Sequence, residues 1–403
     1  MRYRYSTEEN GKLVKKAVVY TQDEHGINIS DVDNDAINIV LTLKAAGYET
    51  YIVGGAVRDL ILGKKPKDFD IASEANPTRI KKIFRNARII GRRFRLVHVY
   101  FGPKIFEVST FRSLKDGPTS NTFGTIDEDV LRRDFTMNAL FYDPGKQIVV
   151  DYVGGMKDIR EKKVKPIIPL ATIFKDDPVR MIRAVKYSAT TGFKLPVTVK
   201  WQIKKQSQLL TNISPSRLTE EIFKIIHSSQ AAAIVIALES LGLYEYLQPN
   251  ASRLMKQNAD FRGRYLRSMA KLNQAGFKNL PGEALSALIQ DYLEDIADWE
   301  AGIAENYKNT FAAGRAFVLP MNPPRFELDH GVRLFFAAHG VTIKKSRLAE
   351  AGLPVRKPGH AAENSEARKS ALPGEGGEGL PVKRRRRRRR KPGGPPRNID
   401  PVQ

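Results

Sequence analysis

Residues 51–70 read YIVGGAVRDLILGKKPKDFD, and the reading of this stretch decides the rest. Thr50–Val53 is β-branched and apolar, the pattern of a short strand, and Gly54-Gly55 interrupts it before a short helix through Leu62. A double glycine between strand and helix lets backbone N–H groups approach a phosphate, and a helix start favours its negative charge. Arg58, one turn later, is placed to hold a triphosphate. Asp68 and Asp70 stand two apart on a strand predicted over Asp68–Ala72, so their carboxylates project from one face. Hard oxygen ligands converging there suit Mg²⁺. Two such ions would activate a 3′-hydroxyl and stabilise a departing pyrophosphate in an in-line attack. A lone D-x-D or a lone Gly-Gly is weak; joined at this spacing around Arg58, they form a specific pattern.

Such a cage calls for a third carboxylate. Glu107 (Phe106-Glu107-Val108) and Asp151 (Val150-Asp151-Tyr152) both sit between apolar neighbours on predicted strands. Asp151 is preferred because Gly154-Gly155 follows it, and Glu107 stays open. Arg132-Arg133-Asp134 with Asn138 reads as a helix start with Asp134 and Asn138 on one face. A carboxylate and an amide so placed would hydrogen-bond a ribose 2′-hydroxyl, with Arg133 on phosphate. Against this stands a plain helix-start aspartate. Asp177 and Arg180 are three apart at a predicted helix start, with Arg183 continuing the face. An acceptor beside a donor matches the N6/N1 edge of adenine or the N4/N3 edge of cytosine and rejects guanine and uracil. The competing reading is a surface ion pair.

Strand-like runs recur at Asp68–Ala72, Leu96–Phe101, Ile105–Thr110 and Ile148–Tyr152, with helical patterns at Thr78–Arg85 and Arg132–Leu140. Upstream, a helix from Asp31 puts Ile37, Val40, Leu41 and Ala45 on one face and closes at Gly47. This mixture predicts one α/β unit up to about residue 160. After Pro169 the strands stop. Helices follow at Asp177–Thr190, from Ser214-Pro215, at Ala231–Leu247 and through 261–348. Residues 352–381 are Gly-, Pro-, Glu- and Ala-rich without periodicity, a linker or disordered segment.

The net charge is +23; Lys383, Arg384, Arg385, Arg386, Arg387, Arg388, Arg389, Arg390 and Lys391 supply nine charges of it, and the remaining chain is basic in its own right. Such a field attracts polyanions, nucleic acid first. With no cysteine, disulfides and thiolate metal sites are excluded, and the six histidines show no ligand spacing. MRYRYSTEEN is too charged for a secretory signal, and the longest apolar run, Ala231–Leu238, falls short of the ~20 residues of a membrane span. A cytoplasmic enzyme or RNA-binding protein is the expectation. Asp31, Asp33 and Asp35 alternate like a calcium loop, but Ala36 and Thr42 stand where its glycine and glutamate belong, so they read as helix caps. His98 reads as packed within its strand, and Tyr244 and Tyr246 as core or rim.

The 51–70 stretch, RRDFTMNAL at 132–140, DYVGGMKD at 151–158 and DDPVRMIRAVKY at 176–187 together resemble, in the same order, the class II tRNA nucleotidyltransferase and bacterial poly(A) polymerase family. The likeness runs over about residues 50–230. It implies an α+β architecture: a polymerase beta-like α/β nucleotidyltransferase head, then an all-helical neck and body, with a disordered basic tail. The expected division is an extension at 1–28 with little core of its own, head at 29–160, neck at 161–235, body at 236–350 and tail at 351–403. The resemblance implies template-independent addition to RNA 3′ ends. Asp68 and Asp70 (with Asp151) serve metal and catalysis, and Gly54, Gly55, Arg58, Arg133, Asp134, Asn138, Asp177, Arg180 and Arg183 serve the nucleotide. Residues 89–99, IIGRRFRLVHV, resemble the stretch that separates poly(A) polymerases from CCA-adding relatives. Arg92 and Arg93, with Arg384–Arg390, are then RNA contacts. The expectation is an ATP- and Mg²⁺-using poly(A) polymerase, against a CCA-, CC- or A-adding tRNA enzyme and a non-catalytic RNA-binding protein.

Overall fold

The computed structural model describes residues 2–7, 13–91, 96–113, 122–272 and 280–343; the expected contacts Arg92, Arg93 and Arg384–Arg390 lie outside them. The described residues all fall within one compact unit, Met1–Leu353; Pro354–Gln403 lie outside the described residues. The strands are β1 (Arg2–Thr7), β2 (Leu13–Tyr20), β3 (Thr50–Val53), β4 (Asp70–Ser73), β5 (Ala87–Ile90), β6 (Leu96–Phe101), β7 (Lys104–Thr110), β8 (Leu140–Asp143) and β9 (Ile148–Asp151). Between and after them run α1 (Gln22–His25), α2 (Asn34–Ala45), α3 (Gly55–Ile61), α4 (Pro77–Ile83), α5 (Ile126–Arg132), α6 (Gly155–Arg160), α7 (Ile173–Asp176), α8 (Val179–Thr191), α9 (Val197–Gln206) and α10 (Pro215–Ile226). Seven further helices, α11 to α17, lie among the described residues between Ala231 and Ala338. No helix among the described residues is long and apolar enough to cross a membrane.

The described strands make one nine-stranded sheet in the order β1-β2-β9-β8-β3-β4-β7-β6-β5. Its pairings are antiparallel except for β4 with β7. Alternation sends Ile52, Ile71, Val97 and Val108 to one face, where α2, α3 and α4 contribute Ile39, Val57 and Ile80 and the core continues into the helical half. Tyr51, Val53, Ala72, Phe111, Phe141 and Val150 line the other face under α5. Asp70, the first residue of β4, alternates onto this second face with Ala72.

The first 28 residues are not a coreless extension. β1 and β2 extend the sheet, with Val18 opposite Asp151 and Val19 opposite Val150, and Ala17, Tyr20 and Ile27 are buried. The face of α2 is also rotated from expectation: Ala36, Ile39, Val40 and Leu43 are buried, while Leu41 is exposed. Asp33 caps this helix by accepting the Asp35 N–H, as the capping reading expects.

Candidate active site

Val53 ends β3 directly opposite Asp70, the first residue of β4. The next residue, Gly54, has φ 76° and ψ −137°, a conformation closed to side-chain-bearing residues. A Cβ there would lie 3.7 Å from Asp70 Oδ2, so the glycine bend passes immediately over that carboxylate. β4 begins at Asp70 rather than Asp68, which leaves Asp68 exposed in the preceding turn, so the shared-strand-face geometry does not hold for the pair.

The parallel register of β4 with β7, Ile71 to Val108, places Asp70 one step earlier alongside Glu107 on the same face. Burial, then the charges of Glu107 and Asp68, push the Asp70 carboxyl up to about 6, against the opposing pull of Arg133. Asp70 nonetheless keeps solvent contact, so it occupies a recess crowded by protein and open on one side. Across β6, His98 stands opposite Glu107, with Nε2 3.4 Å from Oε1. It is an acid's partner at the edge of the recess, not simply strand packing.

Asp151 does something else. Its Oδ1 accepts the N–H groups of Val153 (3.1 Å), Gly154 (2.8 Å) and Gly155 (2.9 Å), and its Oδ2 accepts that of Met156 (3.0 Å). The carboxylate is buried and its two oxygens are engaged by the start of α6. A Cβ at Gly155 would collide with the Thr136 carbonyl oxygen, and Asp158 accepts the Thr136 hydroxyl at 2.7 Å. The Asp151–Gly155–Asp158 motif therefore clamps the 133–138 loop from behind. The preference for Asp151 as third carboxylate gives way to Glu107.

The clamped loop is not the predicted helix over 132–140. α5 ends at Arg132, Arg133 and Phe135 are extended, and Thr136–Asn138 form a single 3₁₀ turn before β8. Asp134 and Asn138 consequently do not share a helix face, and each has its own arginine partners. Arg58 donates to Asn138 Oδ1 at 2.8 Å and to its neighbour Asp59, and lies over the Tyr187 ring at 5.5 Å. Arg133 is held by Asp129 Oδ2 at 2.9 Å and stacks on Phe141 at 4.8 Å. Asp134 accepts Arg180 Nε at 3.1 Å on Oδ1 and Arg183 Nη1 at 2.9 Å on Oδ2.

Arg180 is thus joined to Asp134, not to Asp177 as the three-residue spacing suggested. Asp177 stays extended, accepts the Val179 N–H at 3.2 Å, and pairs with Arg217 of α10 at 2.6 Å. Arg217 escaped the sequence reading: forty residues separate the partners, and its own helix start showed only as Ser214-Pro215. Behind Arg183, the buried Glu221 carboxylate gathers Arg183 (3.6 Å), Lys186 (3.5 Å) and Lys224 (2.9 Å). Burial works against Arg183's charge, but Asp134, Tyr187 and Glu221 outweigh it and raise its pKa.

The structure thus supplies an acidic recess beside a glycine bend, with Arg133 acting on Asp70 and Arg58 against Gly55, and a separate pairing of Asp134 with Arg180 and Arg183. Residues 50–165 match a family model described as the poly A polymerase head domain, and residues 192–255 one described as "Probable RNA and SrmB- binding site of polymerase A". The chain is 40% identical over 271 residues to poly(A) polymerase I of Escherichia coli, covering 63% of this chain and 58% of that protein. It is 36% identical over 218 residues to the CCA-adding enzyme of Bacillus pumilus, covering 53% of this chain and 54% of the relative. The solved CCA-adding enzyme of Bacillus stearothermophilus in complex with CTP superposes with a TM-score of 0.53 at 27% identity, covering 80% of this chain and 88% of that one. The chain spans less than two thirds of the length of the curated relatives it matches. Residues 50–165 and 192–255 thus carry the likeness, and the relatives and the solved structure that share it are bacterial poly(A) polymerases and CCA-adding enzymes.

Proposed function

We propose that this chain is a poly(A) polymerase that transfers AMP from ATP to RNA 3′ ends without a template. The observation that carries the reading is Asp70 beneath the Gly54 bend, with Glu107, Asp68 and the Arg133 guanidinium near enough to act on its charge and Arg58 against Gly55. The 3′-oxygen attacks the α-phosphorus, the bond to the bridging oxygen breaks, and pyrophosphate leaves. Arg58 and Arg133 balance phosphate charge, and the Gly54-Gly55 backbone admits the triphosphate.

Among the described residues, no three His, Asp or Glu side chains converge tightly enough to enclose a metal unaided. This fits Mg²⁺, which takes one or two carboxylates and completes its shell with water and substrate phosphate. The mutual repulsion and burial that lift Asp70 mark a place where a divalent cation is favoured. Asp70, with Glu107 or Asp68 beside it, would hold the ion, which when bound would supply Lewis acidity for the hydroxyl and the leaving group.

The ribose 2′-hydroxyl takes Asp134 and Asn138. Asp134 must then exchange an arginine for the sugar, and the freed Arg180, with Asp177, reads the adenine edge. Residues 29–160 serve as head, 161–235 as neck and 236–350 as body, with β1 and β2 joined to the head sheet. Arg92, Arg93 and Arg384–Arg390 hold RNA phosphates without regard to sequence. The cytoplasm is the proposed location.

The test is incorporation by the purified protein on an unstructured RNA primer, with each nucleoside triphosphate offered separately in Mg²⁺. Long tails from ATP alone are expected. Addition that stops after one to three nucleotides on tRNA supports the CCA-adding reading, favoured by the 36% match to such an enzyme. RNA binding with no incorporation would leave a non-catalytic binder.

A further inference from the structure

We propose that α9 carries a stacking platform for single-stranded RNA centred on Trp201. The segment from Pro178 to Thr219 contains eight lysines and arginines and no aspartate or glutamate. In its middle lies α9, which turns Val199 and Ile203 inward and packs against α7, the element that ends beside Asp177. Its outward positions are Val197, 80% exposed, and Trp201, 60% exposed, one turn apart. Lys200, Lys204 and Lys205 are also exposed, and the Lys205 ammonium lies 4.9 Å from the centre of the Trp201 ring.

An indole left to solvent needs an occupant, and the setting selects which. Lys205 lies against the ring, Lys200 and Lys204 are exposed on the same helix, and the segment has no acidic residue to meet a basic partner. An exposed aromatic face on a lysine-rich helix matches a polyanion whose units each present a π-face: stacking holds the base while lysines take the phosphates. Trp299, the second tryptophan of the chain, is already spoken for, with Phe335, Phe336 and His339 at 5.9, 5.4 and 4.7 Å. The proposal rests on the polyadenylation reading for its choice of RNA, and it adds a base-binding position on the outer face of the neck.

Two tryptophans make the test direct. In a Trp299→Phe chain, all indole emission comes from Trp201. An adenine oligonucleotide of about 16 nucleotides should quench it, with the same apparent Kd as anisotropy of the labelled oligonucleotide. Trp201→Ala should weaken RNA binding about 5- to 100-fold, the range for losing one base–aromatic stack, and Trp201→Phe should restore most of it. In incorporation assays the loss should fall on KM for RNA and spare kcat at saturating ATP. Because Trp201 is exposed, circular dichroism should match the parent protein. The proposal is overturned if RNA binds while Trp201 emission stays unchanged, or if Trp201→Ala binds as tightly as the parent. It is equally overturned if vesicles containing phosphatidylglycerol quench the ring and the oligonucleotide does not. Quenching without incorporation would sink the polymerase reading and leave the platform standing; incorporation without quenching would do the reverse.

Discussion

Replacing Asp151 by Asn separates a structural carboxylate from a catalytic one. The buried Asp151 accepts four backbone N–H groups, three on Oδ1 and one on Oδ2. An asparagine amide keeps one oxygen and can preserve the three bonds to Val153, Gly154 and Gly155. Its NH₂ then faces the Met156 N–H, donor against donor. A hydrogen bond to a charged group contributes about 1.5–3 kcal/mol, and an orphaned buried donor costs about 1–3 kcal/mol. Because these overlap, the expected loss is about 2–4 kcal/mol, a large share of the ~5–15 kcal/mol typical of native proteins. Urea denaturation of both proteins at neutral pH should show a lower midpoint with an unchanged slope. At a temperature where both remain folded, Asp151→Asn should retain nucleotide incorporation within about tenfold of the parent, since only the 133–138 loop is loosened. A variant as stable as the parent but devoid of incorporation would refute this reasoning and return Asp151 to the catalytic group.

Glu107→Gln should behave oppositely: incorporation falls by more than the ~10–100-fold typical of supporting residues, while the urea midpoint changes little; retained activity would remove Glu107 from the site. Asp70 gives a pH signature. Its carboxyl is lifted from the ordinary 3.8 to about 6 by burial and by Glu107 and Asp68, so the folded protein binds that proton more tightly than the unfolded chain. Its contribution to stability is full below about 4 and is lost as pH rises through about 6. In EDTA, the parent should therefore lose more stability than Asp70→Asn between about pH 4 and pH 7.5, and identical pH profiles would contradict the assignment. Arg217→Ala removes the partner of Asp177. As a half-exposed pair it should cost no more than about 1 kcal/mol in stability, yet raise KM for ATP several-fold; an unchanged KM would place Asp177 away from the base.

Much of the head was legible because its signals are local. β3 spans Thr50–Val53 as read, and Gly54 occupies the positive-φ bend that its place between strand and helix demanded. The errors have a common cause in contacts distant along the chain. Asp151 and Glu107 look alike in sequence, an acid between apolar neighbours, and only the parallel register of β4 with β7 sets Glu107 beside Asp70. The 132–140 stretch has helical spacing, but packing of the loop against α6 and the backbone bond from Thr136 to Lys165 hold it extended, with one tight turn. Tertiary pairing likewise overrides the Asp177–Arg180 spacing, since each finds a better partner on another element. The N-terminal hairpin escaped notice because its outer strand, β1, is polar and charged and lies at the sheet's edge, where burial demands least of the sequence.

The ion pairs around Asp134 reach across the molecule: the carboxylate rides on the loop clamped to the sheet, its two arginines on α8, and Glu221 behind them on α10. Asp70 and Glu107, by contrast, are carried by neighbouring strands of one sheet. On the proposed polymerase function, phosphate chemistry and nucleotide choice would therefore be mounted on separate supports. A small tilt of α8 would carry both guanidinium groups together while leaving the acids undisturbed, so under that proposal nucleotide preference could drift through repacking between α8 and α10 without retooling the reaction itself.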